Sequence, residues 1–261
     1  GATVKYPKNL FVQDKDCITP ISRIIRKHKQ HPLHFIKTTN GCATIVTSNH
    51  PMITTDGEID AQFINNTHKL TTANPPLDST QKFIDILQTI DEHYDTSMFL
   101  LNGEIQNRQD RDGLLTIFNR TCVMRNQFPL NGDTGWLVGM ILAEGNCQTT
   151  SVTVAQFDSV YKDKLKRVLN SLMLPYKINK TNVTINSEIF SKLITSMCGK
   201  ENSQHKRLPI DCMDYDKCFL SGIVSGLIDG DGTALNLDKN HSRQLLLRMT
   251  TRELLNQIAY I

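Results

Sequence analysis

The sequence predicts an α+β protein with a β-rich N-terminal part and a second part made of two related helix-and-strand repeats. Three observations carry this. β-branched runs flank an Asn-Gly pair at 40–41. From residue 134 onward, apolar and amphipathic helical patterns alternate with short strand patterns. Two apolar helices end in similar acid-and-glycine segments, offset by 87 residues (144 to 231). The length of 261 residues suffices for one large domain or two ordinary ones.

Taken in order, residues 1–75 read as strands. Phe35 to Thr47 forms two β-branched runs around Asn40-Gly41, a strong hairpin signal, and Asp56-Gly57 marks a second turn. Ala73-Asn-Pro-Pro-Leu-Asp78 breaks the pattern twice with proline and closes this part. Residues 76–132 are expected to be a connector with some helix. Asp78 or Ser79 can cap that helix, and Phe83, Ile84, Leu87 and Ile90 follow its 3.6-residue period. Residues 133–261 form the last segment. It opens on an apolar helix from Trp136 to Ala143 and continues with an amphipathic helix from Val160 to Leu172. Strands around Tyr176 and Val183 follow, then a helix from Glu188 to Met197 and a second apolar helix from Lys217 to Asp231.

Composition excludes some classes. The longest nearly apolar run, Phe219 to Ile228, is about half the ~20 residues a membrane helix needs, so no membrane partner is expected. No secretory leader pattern is present, and none of the seven cysteines sits in a C-x-x-C pair, so an intracellular, reducing setting is expected. The formal charge of +3 decides nothing about nucleic acid in itself.

The repeat carries the chemistry. Gly139-Met-Ile-Leu-Ala-Glu144-Gly145 aligns with Gly226-Leu-Ile-Asp-Gly-Asp231-Gly232. Gly139 and Ala143, like Gly222, Gly226 and Gly230, recur every four residues and form flat ridges that let helix backbones approach. Glycine inside a helix costs up to about 1 kcal/mol relative to alanine, so the ridges need a packing reason. If they face each other, Glu144 and Asp231 meet at the helix ends. Two carboxylates there repel each other and oppose the helix dipoles, and a divalent cation such as Mg²⁺ offsets both penalties.

These segments resemble the paired motifs of the LAGLIDADG homing endonucleases: Val224-Ser-Gly-Leu-Ile-Asp-Gly-Asp-Gly232 closely, Leu137-Val-Gly-Met-Ile-Leu-Ala-Glu-Gly145 more loosely. The resemblance implies two αββαββα halves, the second truncated, whose sheets saddle double-stranded DNA. It implies that Glu144 and Asp231 bind the catalytic metal and that Lys206, in Lys206-Arg-Leu-Pro209, assists. Gln156, Lys177, Asn179, Lys180, Asn182 and Thr184 in the first half, with Arg243, Gln244 and Arg248 in the second, have side chains suited to base edges and phosphates. A monomer is expected.

In the N-terminal part, Cys42-Ala-Thr-Ile-Val-Thr47-Ser-Asn-His50 resembles the T-x-x-H block of the Hint fold of inteins. There Thr47 and His50 would polarise the N-terminal splice-site peptide. The pairing of both resemblances implies an endonuclease carried by an intein, with host-protein exteins or a complementary intein fragment as partners. No intein nucleophile opens the chain and no His-Asn pair closes it, so a longer parent is expected. The alternative is a protein-splicing element whose endonuclease has decayed to a DNA-binding or structural module.

Overall fold

The computed structural model describes residues 3–8, 10–13, 18–26, 32–39, 43–71, 81–101, 104–105, 113–117, 123–199, 206–208, 212–237, 242–249 and 251–258. The chain divides into two compact units, residues 1–76 and 77–259. Among the described residues no helix is long and apolar enough to cross a membrane.

The first unit is β-rich, as its sequence predicts. β1 (Thr3–Lys5) pairs with β4 (Ile24–Arg26), and β2 (Phe11–Gln13) with β3 (Ile18–Pro20). β5 (Leu33–Lys37) pairs with β6 (Ala43–Thr47), and β7 (Pro51–Thr54) with β8 (Gly57–Asp60). All four pairs are antiparallel. The β5–β6 register runs from Leu33↔Thr47 to Lys37↔Ala43, which is the predicted hairpin; its Asn40-Gly41 turn lies outside the described residues. In β7–β8 the turn falls on Thr55-Asp56, one position earlier than predicted. Gly57 instead opens the return strand at φ +114°, where a side chain would be strained. The Thr54 hydroxyl donates to the Gly57 carbonyl at 2.7 Å and accepts from the Asp56 amide at 3.1 Å, closing the turn. Ser48, Thr54 and Ala61 are buried, whereas Tyr6, Phe35, Ile45, Ile53 and Phe63 are exposed.

The second unit opens with β9 (Phe83–Asp85), α1 (Ile86–Asp91), β10 (Phe99–Leu101), β11 (Glu104–Ile105), β12 (Leu114–Ile117), β13 (Val123–Arg125) and β14 (Gln127–Pro129). The helix predicted from residue 79 therefore starts only at Ile86. Phe83–Asp85 pairs with Gln127–Pro129, which buries Ile84 and leaves Phe83 exposed in strand alternation. Asp85 then caps α1, accepting from the Gln88 amide at 2.9 Å. The other strands form a sheet in the order β11-β10-β12-β13. This segment, expected as a connector, packs into the core: the Phe128 ring lies 6.3 Å from Phe190 and 6.5 Å from Phe219.

Next come α2 (Gly132–Glu144), β15 (Gly145–Cys147), β16 (Val152–Ala155), α3 (Ser159–Ser171), β17 (Tyr176–Ile178), β18 (Asn182–Ile185) and α4 (Glu188–Cys198). The order is α-β-β-α-β-β-α, around a sheet of order β15-β16-β18-β17. Then α5 (Lys217–Asp231), β19 (Gly232–Leu237), β20 (Ser242–Leu247) and α6 (Arg252–Ile258) repeat the first four of those elements. The helix starts follow capping chemistry. Asn131 and Thr134 form a capping box on α2, and the side chains of Asp158, Ser187 and Asp216 accept first-turn amides of α3, α4 and α5. α6 begins at Arg252, with Glu253 in its first turn. The amphipathic helix predicted from Val160 to Leu172 is α3, and its stripe of Leu165, Val168 and Leu169, with Leu172 at the cap, is buried.

Candidate active site

The two glycine ridges face each other. A side-chain carbon added at Gly226 would overlap the Trp136 carbonyl oxygen and come within 2.8 Å of the Met140 amide nitrogen and 3.0 Å of Gly139 Cα. One added at Gly139 would lie 2.9 Å from Gly226 Cα, and one at Gly222 2.9 Å from the Trp136 nitrogen. At Gly230 it would overlap the Ala143 methyl group. Contacts run in step, from Gly132 beside Gly222 to Ala143 beside Gly230, so α2 and α5 are parallel and end side by side. Both backbones touch because no side chain separates them, which is the packing reason the sequence required.

Glu144 and Asp231 close these helices and are both half-buried. Burial first, and the charge of Asp231 second, hold the Glu144 carboxyl above the ordinary carboxylate range; Lys206 pulls the other way. Burial likewise raises Asp231 against the pull of Lys206. Lys206 is fixed by its hydrogen bonds. Its ammonium donates to the carbonyls of Leu142 at 2.7 Å, Gly145 at 3.1 Å and Ile141 at 3.4 Å. The Ile141 and Leu142 carbonyls belong to the last turn of α2, where Ile141 also accepts the Gly145 amide, so Lys206 caps that helix end and answers its dipole. Burial lowers its pKa, while Cys147, Asp231, Cys198 and Glu144 support its charge. Two carboxylates and one cation thus converge on the ends of the paired helices.

Glu144 and Asp231 offer hard carboxylate oxygens, a donor type that divalent cations such as Mg²⁺ take. Among the described residues no group of three or more His, Cys, Asp or Glu side chains is placed to hold a metal. One or two carboxylates, completed by water and substrate phosphate, is the ordinary setting for Mg²⁺.

Strand register sorts the other candidates. In the sheet of the first half, Val152, Val154, Val183 and Ile185 are buried against the helices. The opposite face carries Asn146, Thr153, Thr184 and Lys177 as one cross-strand row, set by the pairs Asn146↔Thr153, Thr153↔Thr184 and Lys177↔Thr184. Asn182 stands on the same face opposite Ala155. Asn146 and Thr153 are absent from the sequence-derived set; only the register places them beside Lys177. Asn179 and Lys180 lie at the exposed β17–β18 turn, where Asn179 donates to the Asn182 side chain at 2.9 Å. The Gln156 side-chain oxygen accepts the amides of Phe157 and Asp158, both at 2.9 Å, at the entry to α3. Arg243 and Gln244 pair in β20 with Asn236 and Leu235, and their side chains lie outside the described residues. Arg248 follows β20 and is exposed.

In the first unit, Thr47 ends β6 and is half-buried, while His50 is exposed in the next turn. The His50 amide donates to the Thr47 carbonyl at 3.0 Å. The buried polar group there is Ser48, whose hydroxyl bonds the His34 ring at 3.2 Å and the Pro32 carbonyl at 3.2 Å. Sequence reading also missed Asp229, which receives hydrogen bonds from Trp136 and Tyr161. It lies inside the motif but is hidden among apolar neighbours.

A search against protein-family models finds no match. The chain is similar to the DNA-directed RNA polymerase subunit Rpo1C of Methanocaldococcus jannaschii, with 25% identity over 146 residues. The match covers 52% of this chain and spans 16% of the length of that subunit.

Proposed function

We propose that the second unit is a metal-dependent, double-strand DNA endonuclease of the LAGLIDADG homing type, carried beside a splicing-type β unit. The observation that supports this most is the parallel, backbone-to-backbone packing of α2 and α5, which ends in Glu144 and Asp231 with Lys206 coupled to both charges. The αββαββα order of residues 132–198 and its partial recurrence from residue 217 support the two-half architecture.

In this reading Glu144 and Asp231 hold Mg²⁺. The bound ion supplies Lewis-acid stabilisation of charge on the scissile phosphodiester. The protein's own contributions are positional and electrostatic. The glycine interface brings one acid from each half to a shared point, as cutting two strands requires. Lys206 holds the α2 terminus and draws both carboxylates down against the upward push of burial. The polar face of β15–β18 offers Lys177 to phosphate and Asn146, Thr153, Asn182 and Thr184 to base edges. Thr47 and His50 are assigned to the splicing block of the first unit, with exteins or a complementary fragment as partners.

The test works without a defined target sequence. A library of duplexes of random sequence is incubated with the protein and Mg²⁺, and cleaved ends are captured and sequenced. The unmodified protein should yield a consensus with cuts on both strands, and Asp231→Asn should yield none while still retaining duplexes on a column. Cleavage by Asp231→Asn refutes the assignment of the acid. Binding without cleavage by the unmodified protein selects the decayed module instead.

A further inference from the structure

The α2/α5 interface is symmetric in its small residues and asymmetric in its polar ones. The 87-residue offset matches Gly135 with Gly222, Gly139 with Gly226, and Ala143 with Gly230. It also matches Trp136 with Ile223, and Leu142 with Asp229. On one side of the interface the Trp136 indole N–H donates to the Asp229 carboxylate at 2.7 Å. The Tyr161 hydroxyl of α3 donates to the other carboxylate oxygen at 3.3 Å. The ammonium of Lys164 sits 4.1 Å from the centre of the Trp136 ring, whose own centre is 6.3 Å from that of Tyr161. At the symmetry-related place, Ile223 and Leu142 are buried and apolar.

A glycine ridge gives close approach but a poor register. Gly222, Gly226 and Gly230 recur every four residues, so sliding α5 by about one turn still presents glycine to α2. Such a slip displaces Asp231 from Glu144 by roughly 6 Å along the axis, at about 1.5 Å per residue. Small-residue packing alone discriminates weakly between these registers. A directional hydrogen bond does discriminate. In a slipped register the N–H of Trp136, a residue only 1% exposed, loses its acceptor, and a half-buried carboxylate loses its donors.

We propose that Asp229 is a positioning residue: clamped by Trp136 and Tyr161, it fixes the register and rotation of the last turn of α5 and so aims Asp231 at Glu144. This rests on the reading of Glu144 and Asp231 as the metal-binding pair. One polar clamp suffices to set the register of two rigid helices, and a second would bury more charge, which accounts for the asymmetry.

Trp136 is the chain's single tryptophan, so it can sensitise the luminescence of a lanthanide bound at the helix ends, roughly 12 Å along α2. The experiment titrates Tb³⁺ into the unmodified protein and into Asp229→Leu and Asp229→Asn, exciting Trp136. The unmodified protein and Asp229→Asn, which keeps an acceptor oxygen for the indole, should bind within threefold of each other. Asp229→Leu, which copies Leu142, should bind at least tenfold more weakly. Trp136→Phe, measured by calorimetry, should weaken binding in the same direction and covers the case in which the leucine variant does not fold. In Mg²⁺, the loss should appear in kcat with duplex KM within twofold. Equal Tb³⁺ affinity for Asp229→Leu and the unmodified protein overturns the proposal, as does an Asp229→Asn variant no better than Asp229→Leu. An unmodified protein that binds no Tb³⁺ overturns the metal-pair reading itself, and the proposal with it.

Discussion

Gly226→Ala tests the helix interface most directly. The added methyl would meet only backbone: the Trp136 carbonyl oxygen, the Met140 nitrogen at 2.8 Å and Gly139 Cα at 3.0 Å. No rotamer change relieves a clash with backbone, so the helices must separate. Overpacking of this kind costs about 3 kcal/mol, the upper part of the usual range. Replacing a helical glycine by alanine returns about 1 kcal/mol, leaving a net loss of about 2 kcal/mol. For a domain of roughly 150–250 residues this lowers Tm by about 4–8 °C. Thermal unfolding followed by far-ultraviolet circular dichroism reads the effect. Ser225→Ala, one residue away and exposed, is the control and should leave Tm unchanged or slightly higher. Separation of the helix ends should also abolish Mg²⁺-dependent cleavage at temperatures where the variant remains folded. A Gly226→Ala protein as stable as the parent would refute the close-packing argument.

Other outcomes follow from the charges. Glu144 and Asp231 titrate higher in the folded protein than their ordinary values, so their contribution to stability is present in acid and is lost as pH rises through the folded values. Glu144→Gln should therefore raise the Tm of the metal-free protein near neutral pH and change nothing in acid; Mg²⁺ should raise the Tm of the parent and not of this variant. Lys206→Met removes a donor to three carbonyls and a charge that draws both acids down. It should cost about 1.5–3 kcal/mol in urea unfolding and shift both carboxyl titrations, followed by NMR, further upward. Lys177→Ala on the polar sheet face should weaken duplex binding across all sequences and reduce the salt slope by about one, with Tm unchanged.

Much of this was legible in the chain. The glycine spacing announced a close helix pair, and the apolar helix from Lys217 to Asp231 and the amphipathic α3 stripe lie where periodicity put them. Where local reading failed, a distant partner had overridden propensity. Phe83–Asp85 satisfies a helical period yet pairs with Gln127–Pro129 as a strand.

What the sequence by itself determined is therefore periodic and local: the β-rich first part, the repeat, and the two acids at matched helix ends. The tertiary structure alone decided which residues share a face and which charges meet. Asn146 and Thr153 joined Lys177 only through strand register, and Lys206 met the Leu142 carbonyl across 64 positions of chain. Asp229 found Trp136 across 93 positions of chain. Hydrophobic period and capping are carried by neighbours a few residues apart, whereas hydrogen bonds and charge coupling depend on distances that exist only once the chain has closed on itself.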